Sequence, residues 1–397
     1  MNPSYKPGDL LEVRVERIVP RGFGIAFAER LTVLIPLSVP GDELTVRIVE
    51  IKKRLAFAEI VEIKRPGARR VPAPCPYFGT CGGCNFQQMD YIAQLAAKRE
   101  IVADCLRRLG KIEIKADIPI VPSPNPWGYR SRARWHLDRD VRAIGYFARN
   151  SNDLVDVNSC PVLTPGLYST LEYLRESMEW DTLWSERHEI EAASGEEGHV
   201  SIYSAEGREP AAELSFSVNG ETYFFSAETF FQANKFLIGE LINAAVEGLT
   251  AETALDLYAG VGLFALPLAR KFAHVISIEE HSPAVKFAKK NAYHAGLSNI
   301  EMISSSVAGY LTDNARTKAD LILIDPPRSG TEPGVIGRIA AMRPERIVYV
   351  SCEPSILARD LRILLDAGFA IETIKAIDLF PQTHHVETVV RLTLQNS

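Results

Sequence analysis

From residue 254 onward the chain alternates short apolar, β-branched runs with amphipathic stretches. That alternation limits the fold more than any other feature. Residues 254–258, 274–279, 300–303, 320–325 and 347–350 read as strands, and residues 263–271 and 283–295 as helices. Strands and helices repeating at this spacing pack as a doubly wound, mostly parallel, Rossmann-like sheet with helices on both faces. Ligands of such sheets bind beyond the carboxyl ends of the strands. The run Arg346-Ile-Val-Tyr-Val-Ser-Cys352-Glu-Pro354 is therefore informative, because it ends a buried strand in a thiol. Residues 388–393 form a terminal strand. If it runs antiparallel to its neighbours, Glu387 at its start lies near Cys352.

The stretches before this sheet read differently. Residues 5–64 hold five short alternating strands, with Lys6-Pro-Gly-Asp9 and Pro40-Gly-Asp42 as turns. They predict a small β-barrel of the oligonucleotide-binding kind. The pattern resembles a TRAM domain, an RNA-binding barrel. Arg65-Pro-Gly-Ala-Arg-Arg-Val-Pro-Ala-Pro74 is a basic, proline-rich linker. Residues 91–109 read as a helix with Cys105 on its buried face, residues 115–225 as a largely β insertion, and residues 230–242 as a helix entering the last unit. Three units are expected: 1–64, 65–230 and 231–397. The overall class is α/β, with a central β-rich unit that carries a cysteine cluster.

That cluster is Cys75-Pro-Tyr-Phe-Gly-Thr-Cys81-Gly-Gly-Cys84, spaced C-x5-C-x2-C. The amino terminus lacks the apolar core of a signal peptide, and no apolar run reaches the length of a membrane span. The expectation is a cytoplasmic protein without membrane contact, whose cysteines serve metal binding or catalysis rather than disulfides. Two glycines allow a tight turn between Cys81 and Cys84. A fourth ligand is needed, and Cys160 in Val157-Asn-Ser-Cys-Pro161 is a better candidate than the helical Cys105. Four thiolates hold zinc or an iron–sulfur cluster, and spacing does not choose between them.

Charge is unevenly spread. Residues 1–150 carry 25 Lys/Arg against 16 Asp/Glu, and the remainder 19 against 34. A basic amino-terminal part on an acidic carboxyl-terminal part suits a polyanion gripped at one end. In Pro126-Trp-Gly-Tyr-Arg-Ser-Arg-Ala-Arg-Trp-His-Leu137, a strand would set Arg130, Arg132, Arg134 and His136 on one face. An arginine row beside aromatics suits phosphate contact and base stacking in RNA.

Gly260-Val-Gly262-Leu-Phe-Ala265 fits the dinucleotide fingerprint, and Glu279 ends the next strand, where it can bond ribose hydroxyls. NAD and S-adenosylmethionine can both use these parts. Asp256 and the cap Asp325-Pro-Pro-Arg328 favour the methyl donor, since D-P-P resembles a motif of methyltransferases acting on planar nitrogenous bases. Cys352 then sets the chemistry. A thiolate added to C6 of uracil makes C5 nucleophilic, and a base must later remove the C5 proton. Glu387 is the candidate base, with His384 and His385 as alternatives.

These motifs together resemble the RNA uracil-5-methyltransferase family over nearly the whole chain. The resemblance is carried by the cysteine cluster, Tyr129-Arg-Ser-Arg132, Phe231-Gln-Ala-Asn234, Asp256-Leu-Tyr-Ala-Gly260, Asp325-Pro-Pro-Arg-Ser-Gly330, Ser351-Cys-Glu-Pro354 and Thr383-x-His385-Val-Glu387. It implies Cys352 as nucleophile and Glu387 as proton acceptor. It implies Gln232, Tyr258, Glu279 and Asp325 as binding groups for S-adenosylmethionine. It also implies that Cys75, Cys81, Cys84 and Cys160 hold a [4Fe-4S] cluster, as in the branch that acts on 23S ribosomal RNA and carries a TRAM domain. Glu353 departs from the family, which usually has asparagine there. The competing readings are a tRNA uracil-5-methyltransferase, an RNA-binding iron–sulfur protein with an inactive methyltransferase domain and, more distantly, a nicotinamide oxidoreductase. No obligate protein partner is expected.

Overall fold

A computed structural model of the chain describes residues 5–114, 117–183, 185–207 and 210–395. Residues 1–4, read above as part of an unremarkable amino terminus, and residues 115–116, the start of the expected insertion, lie outside the described residues.

The amino-terminal strands are β1 (Leu10–Arg14), β2 (Arg17–Val19), β3 (Phe23–Ala28), β4 (Leu31–Ile35), β5 (Glu43–Lys52) and β6 (Leu55–Arg65). They form a six-stranded sheet in the order β1-β5-β6-β4-β3-β2 around their own core of Leu11, Val13, Val33, Leu44, Val46 and neighbours. Five strands were expected here and six are found, because residues 10–19 divide into two. The chain changes partner there: Val15 N–H donates to Asp42 and Glu16 N–H to Ile25, so β1 pairs with β5 and β2 with β3.

Helix α1 (Tyr91–Arg108) follows, its first turn capped by the Asp90 carboxylate, which accepts from Ala93 N–H. After it come β7 (Ile120–Val121), β8 (Arg132–Asp138), β9 (Ala143–Phe147), β10 (Leu154–Asp156), α2 (Pro165–Ser177), β11 (Arg187–Ser194) and β12 (Val200–Tyr203). The strands β8 to β12 make an antiparallel sheet, β10-β9-β8-β11-β12, covered by α2 through Trp135, Leu167 and Leu171. A hairpin, β13 (Leu214–Val218) and β14 (Glu221–Phe225), completes this region.

The remainder comprises α3 (Ile238–Val246), β15 (Ala251–Leu257), α4 (Ala265–Ala269), β16 (Phe272–Glu279), α5 (Ser282–His294), β17 (Ile300–Ser304), α6 (Val307–Asp313), β18 (Leu321–Ile324), α7 (Val335–Met342), β19 (Arg346–Ser351), α8 (Pro354–Asp366), β20 (Phe369–Ile377) and β21 (Glu387–Leu394). The sheet order is β17-β16-β15-β18-β19-β21-β20-β7. β15 to β19 are parallel, and β21 runs antiparallel between β19 and β20. One apolar core on one face takes α3, α4 and the β13–β14 hairpin, and a second on the other face takes α1, α6, α7 and α8.

Stretch 65–230 is thus shared. α1 packs on α8, β7 extends the large sheet, and Tyr223 and Phe225 of the hairpin enter its core. The helix expected over residues 230–242 starts only at Ile238. Its first half is instead bound to the central sheet, with Arg130 bridging Asn234 and Ser131 N–H donating to Ala233.

Candidate active site

The register of β19 and β21 brings the two candidate catalytic residues together. Ser351 lies opposite Thr388, so Cys352, one residue beyond the parallel strand, and Glu387, first residue of the antiparallel one, emerge together at the same edge. Asp325 follows β18 at this edge, and Arg328 closes its Asp-Pro-Pro-Arg turn. Cys352 is half-buried and Glu387 almost fully buried. Burial, then the Glu387 charge, push the thiol up to about 12, while Arg328 pulls it back and Asp325 adds to the rise. Burial, then Asp325, hold the Glu387 carboxyl well above the carboxylate range, again opposed by Arg328. Burial takes Asp325 to about 7. The site thus gathers two acids, whose charged forms burial disfavours, and a thiol around one guanidinium.

Sequence reading singled out neither Arg328 nor its role, although the D-P-P-R cap carried the signal. Glu353 caps α8, its carboxylate accepting from Ser355 N–H at 3.3 Å and Ser355 Oγ at 2.7 Å. Glu353 thus caps the helix that follows the thiol, a task that asparagine also performs. His384 and His385 stand beside the site as neutral rings. Burial, then the charge of Lys98, takes His384 down to about 4, and burial, then His384, takes His385 to about 2. Both are far weaker bases than Glu387.

The edge continues across β15 and β16. Tyr258 has φ 64° and Gly260 φ 55°, so the chain leaves β15 through left-handed conformations that a tyrosine rarely adopts. The Tyr258 hydroxyl bonds the Glu332 carboxylate. Glu279 fixes the turn by accepting from Gly260 N–H at 2.8 Å and from His281 N–H at 2.7 Å. Asp256 is fully buried, and among the described residues its carboxylate oxygens make no well-formed hydrogen bond, though the Ala265 N–H favours their charge. Burial, then Asp325 and Glu279, raise its carboxyl well above the usual range. Tyr258, Glu279 and Asp325 therefore share one edge. Gln232 lies on the segment bound to the central sheet, its carbonyl accepting from Ser131 Oγ. Among the described residues no hydrogen bond ties its side chain to those acids.

Cys75, Cys81, Cys84 and Cys160 line one small pocket with Tyr77, Arg130 and Tyr146, whereas Cys105 lies in the core beneath α1. Burial raises the Cys81, Cys84 and Cys160 thiols, Cys84 to about 12, and the thiols raise one another. Among the described residues no group of three or more His, Cys, Asp or Glu closes on a single metal ion. Neither glycine of the Cys-Gly-Gly-Cys turn is left-handed. Gly82 is required by proximity, because a Cβ there would fall 2.9 Å from the Phe147 carbonyl oxygen.

The expected arginine row is divided. Arg130 faces the cysteine pocket. Arg132 donates to the Ala227 and Thr229 carbonyls and to Glu191, and Arg134 pairs with Glu189 and Glu191. A second pocket opens between the amino-terminal sheet, the cysteine loop and the central sheet. Arg21, Phe23, Asn85, Phe147, Arg149 and His384 line it, and sequence reading missed it because its residues come from five separate segments.

A doubly wound sheet whose first strand ends in a glycine turn, and whose later strands end in Asp-Pro-Pro, a thiol and an acid, has the architecture of a methyltransferase. The family model described as tRNA (Uracil-5-)-methyltransferase matches residues 211–395. An RNA methyltransferase of Thermosynechococcus vestitus is 32% identical over 98% of this chain and 99% of its own. The 23S rRNA (uracil(1939)-C(5))-methyltransferase of Methylococcus capsulatus is 32% identical over 96% and 97%. The crystal structure of the Pyrococcus abyssi tRNA (uracil-54, C5)-methyltransferase, in complex with S-adenosyl-L-homocysteine, superposes with a TM-score of 0.75 at 26% identity, covering 96% of this chain and 100% of that one. The chain belongs to the RNA uracil-5-methyltransferase family. No described helix is long and apolar enough to cross a membrane.

Proposed function

We propose that this enzyme methylates C5 of a uridine in 23S rRNA, with S-adenosylmethionine as donor, through a covalent bond from Cys352 to C6 of the base. The observation that carries the mechanism is the Ser351–Thr388 pairing, which brings Cys352 and Glu387 to one edge. The Cys352 thiolate adds to C6, and the C5=C6 electrons move into the ring as an enolate. C5 of the enolate would then bond the methyl carbon that a bound donor supplies, as the methyl–sulfur bond breaks with its pair left on the departing neutral thioether. Glu387, as carboxylate, then takes the C5 proton. The C5–H pair re-forms C5=C6, and the C6–S pair returns to Cys352. Arg328 stabilises the thiolate and the ionised Glu387 in turn, since it opposes the rise of both groups.

The residues present suit the donor. A sulfonium and an ammonium are cations, and ribose hydroxyls are donors, so a sheet edge that sets Asp256 beside Glu279 and Asp325 complements them. Tyr258 and Gln232 are proposed as further donor contacts. The four cysteines are proposed to hold a [4Fe-4S] cluster, a reading supported by their lining one pocket. Such a cluster would order the cysteine loop against RNA. The amino-terminal sheet fits an RNA-binding TRAM unit, and 1–64, 65–230 and 231–397 are kept as functional divisions. RNA is proposed to cross the Arg21–Arg149 pocket and the exposed Arg134, with Arg130 and Arg132 supporting that surface.

A tRNA target is the second reading, favoured by the Pyrococcus abyssi enzyme, but that enzyme is less similar in sequence than the ribosomal one. Nucleoside mass spectrometry on 23S rRNA and tRNA from a deletion strain decides. Loss of 5-methyluridine from 23S rRNA is expected. Loss from tRNA alone would replace the substrate. No loss from either would favour an inactive methyltransferase domain on an RNA-binding protein.

A further inference from the structure

Glu387 reaches the active site at the end of an irregular loop, residues 378–386, and groups with no part in the chemistry hold that loop. Asn85, the residue after Cys84, makes three bonds to it. Its backbone N–H donates to the Gln382 carbonyl at 3.0 Å. Its Oδ1 accepts from His384 N–H at 2.9 Å, and its Nδ2 lies 2.6 Å from His384 Nδ1. Because Oδ1 already accepts, Nδ2 is the donor to an unprotonated ring nitrogen, which agrees with the buried, neutral His384. From the other side Gln94 of α1 exchanges two bonds with Gln382, side chain to side chain at 2.9 Å and from Gln382 N–H at 3.0 Å. Lys98 Nζ donates to the Phe380 carbonyl at 2.9 Å and Tyr129 OH to that of Pro381 at 2.8 Å. Gln382 itself sits at φ 68°, a conformation that a non-glycine residue keeps only when its surroundings impose it.

We propose that Asn85 is a positioning residue for proton abstraction. It fixes Gln382 and His384, and through them the entry of Glu387, so that the cysteine loop acts on the last chemical step rather than on donor binding. The proposal rests on the covalent mechanism above, and the experiment separates the two. The full-length wild type and Asn85→Ala are given target RNA carrying either uridine or 5-fluorouridine. Fluorine at C5 leaves no proton to remove, so trapping on 5-fluorouridine reports thiol attack and methyl transfer alone.

For Asn85→Ala, which also removes a side chain from the RNA pocket, the trapping rate at saturating RNA and the S-adenosylmethionine affinity by calorimetry are expected to equal wild type. Turnover on uridine falls about 10- to 100-fold, and methylated enzyme–RNA adduct accumulates on a denaturing gel. Gln94→Ala reaches the same loop from α1 and gives the same signature, and the double variant is no slower than the slower single one. Unchanged turnover in both variants overturns the proposal. So does a parallel fall of trapping, donor affinity and turnover, which marks a general loss of fold. A wild-type protein that traps no 5-fluorouridine RNA overturns the covalent mechanism itself.

Discussion

Burial holds the Cys352 thiol at about 12, first through lost solvation and then through Glu387, so the resting nucleophile is protonated at neutral pH. Attack needs the thiolate, whose share grows as pH rises toward that value. The rate of 5-fluorouridine trapping is therefore expected to keep rising with pH through and beyond neutrality. A plateau near neutral pH would contradict it. Arg328→Ala removes the charge that lowers the thiol and should slow trapping at every pH, by about tenfold for each pKa unit lost. Glu387 carries the complementary cost. Its carboxyl is raised in the folded chain, so the folded state prefers the protonated form, and stability falls as pH climbs above the unfolded value toward the folded one. Glu387→Gln should thus stabilise the protein at neutral pH, by about 2–4 °C in Tm per kcal/mol relieved. The gain should vanish in acid below the unfolded pKa, while the methylated adduct cannot resolve. Thermal scans across pH check the first outcome and denaturing gels the second.

Helix α1 does for the catalytic loop what the sheet does for Cys352. Lys98 and Asp378 are both fully buried and ion-paired, with Tyr91 OH donating to Asp378 at 2.8 Å. Lys98→Met leaves that carboxylate without its counter-charge and should destabilise by about 3–5 kcal/mol. Lys98→Met with Asp378→Asn should recover a large part of the loss, as read by denaturant unfolding. Equal loss in the single and double variants would mean that the pair holds nothing in place. This link was not legible in the sequence. Nothing in the helical pattern of residues 91–109 marks Lys98 as buried, and its partner lies 280 residues away. Elements with strict periodicity were legible, because apolar runs such as residues 347–350 can only be buried. β20 was not read as a strand, since Glu372, Thr373 and Lys375 interrupt its apolar pattern around a bulge. The stretch 230–237 looked helical by composition, yet bonds to Ser131 and Arg130 pull it straight.

Across the whole molecule, the pair Cys352 and Glu387 was legible because each sits at a strand end, where register alone sets position. The surface proposed for RNA was not, since its side chains come from several separate segments. Arg132 and Arg134 share a face as alternation predicts, but Glu189 and Glu191 of β11 lie opposite and neutralise them. Arg21 and Arg149 make no ion pair among the described residues, and both face the pocket that also holds Phe23, Phe147 and His384. An unpaired guanidinium beside aromatic walls is the combination that grips phosphate and stacks a base. Neutralising each should release one phosphate contact, so Arg21→Ala and Arg149→Ala should each flatten the salt dependence of RNA binding by roughly one unit of slope. Removing Arg134, already paired twice, should change the slope less. Donor affinity should be untouched in all three, because the acids that would bind it lie at the carboxyl edge of the large sheet. Cys84→Ser tests the cysteine loop, whose Gly82, Gly83 and Asn85 line that pocket. It should weaken RNA binding while S-adenosylmethionine binding stays at wild-type strength, measured by filter binding and calorimetry on the same preparation. An equal loss of both affinities would mean that the cysteine loop supports the whole fold rather than the RNA surface.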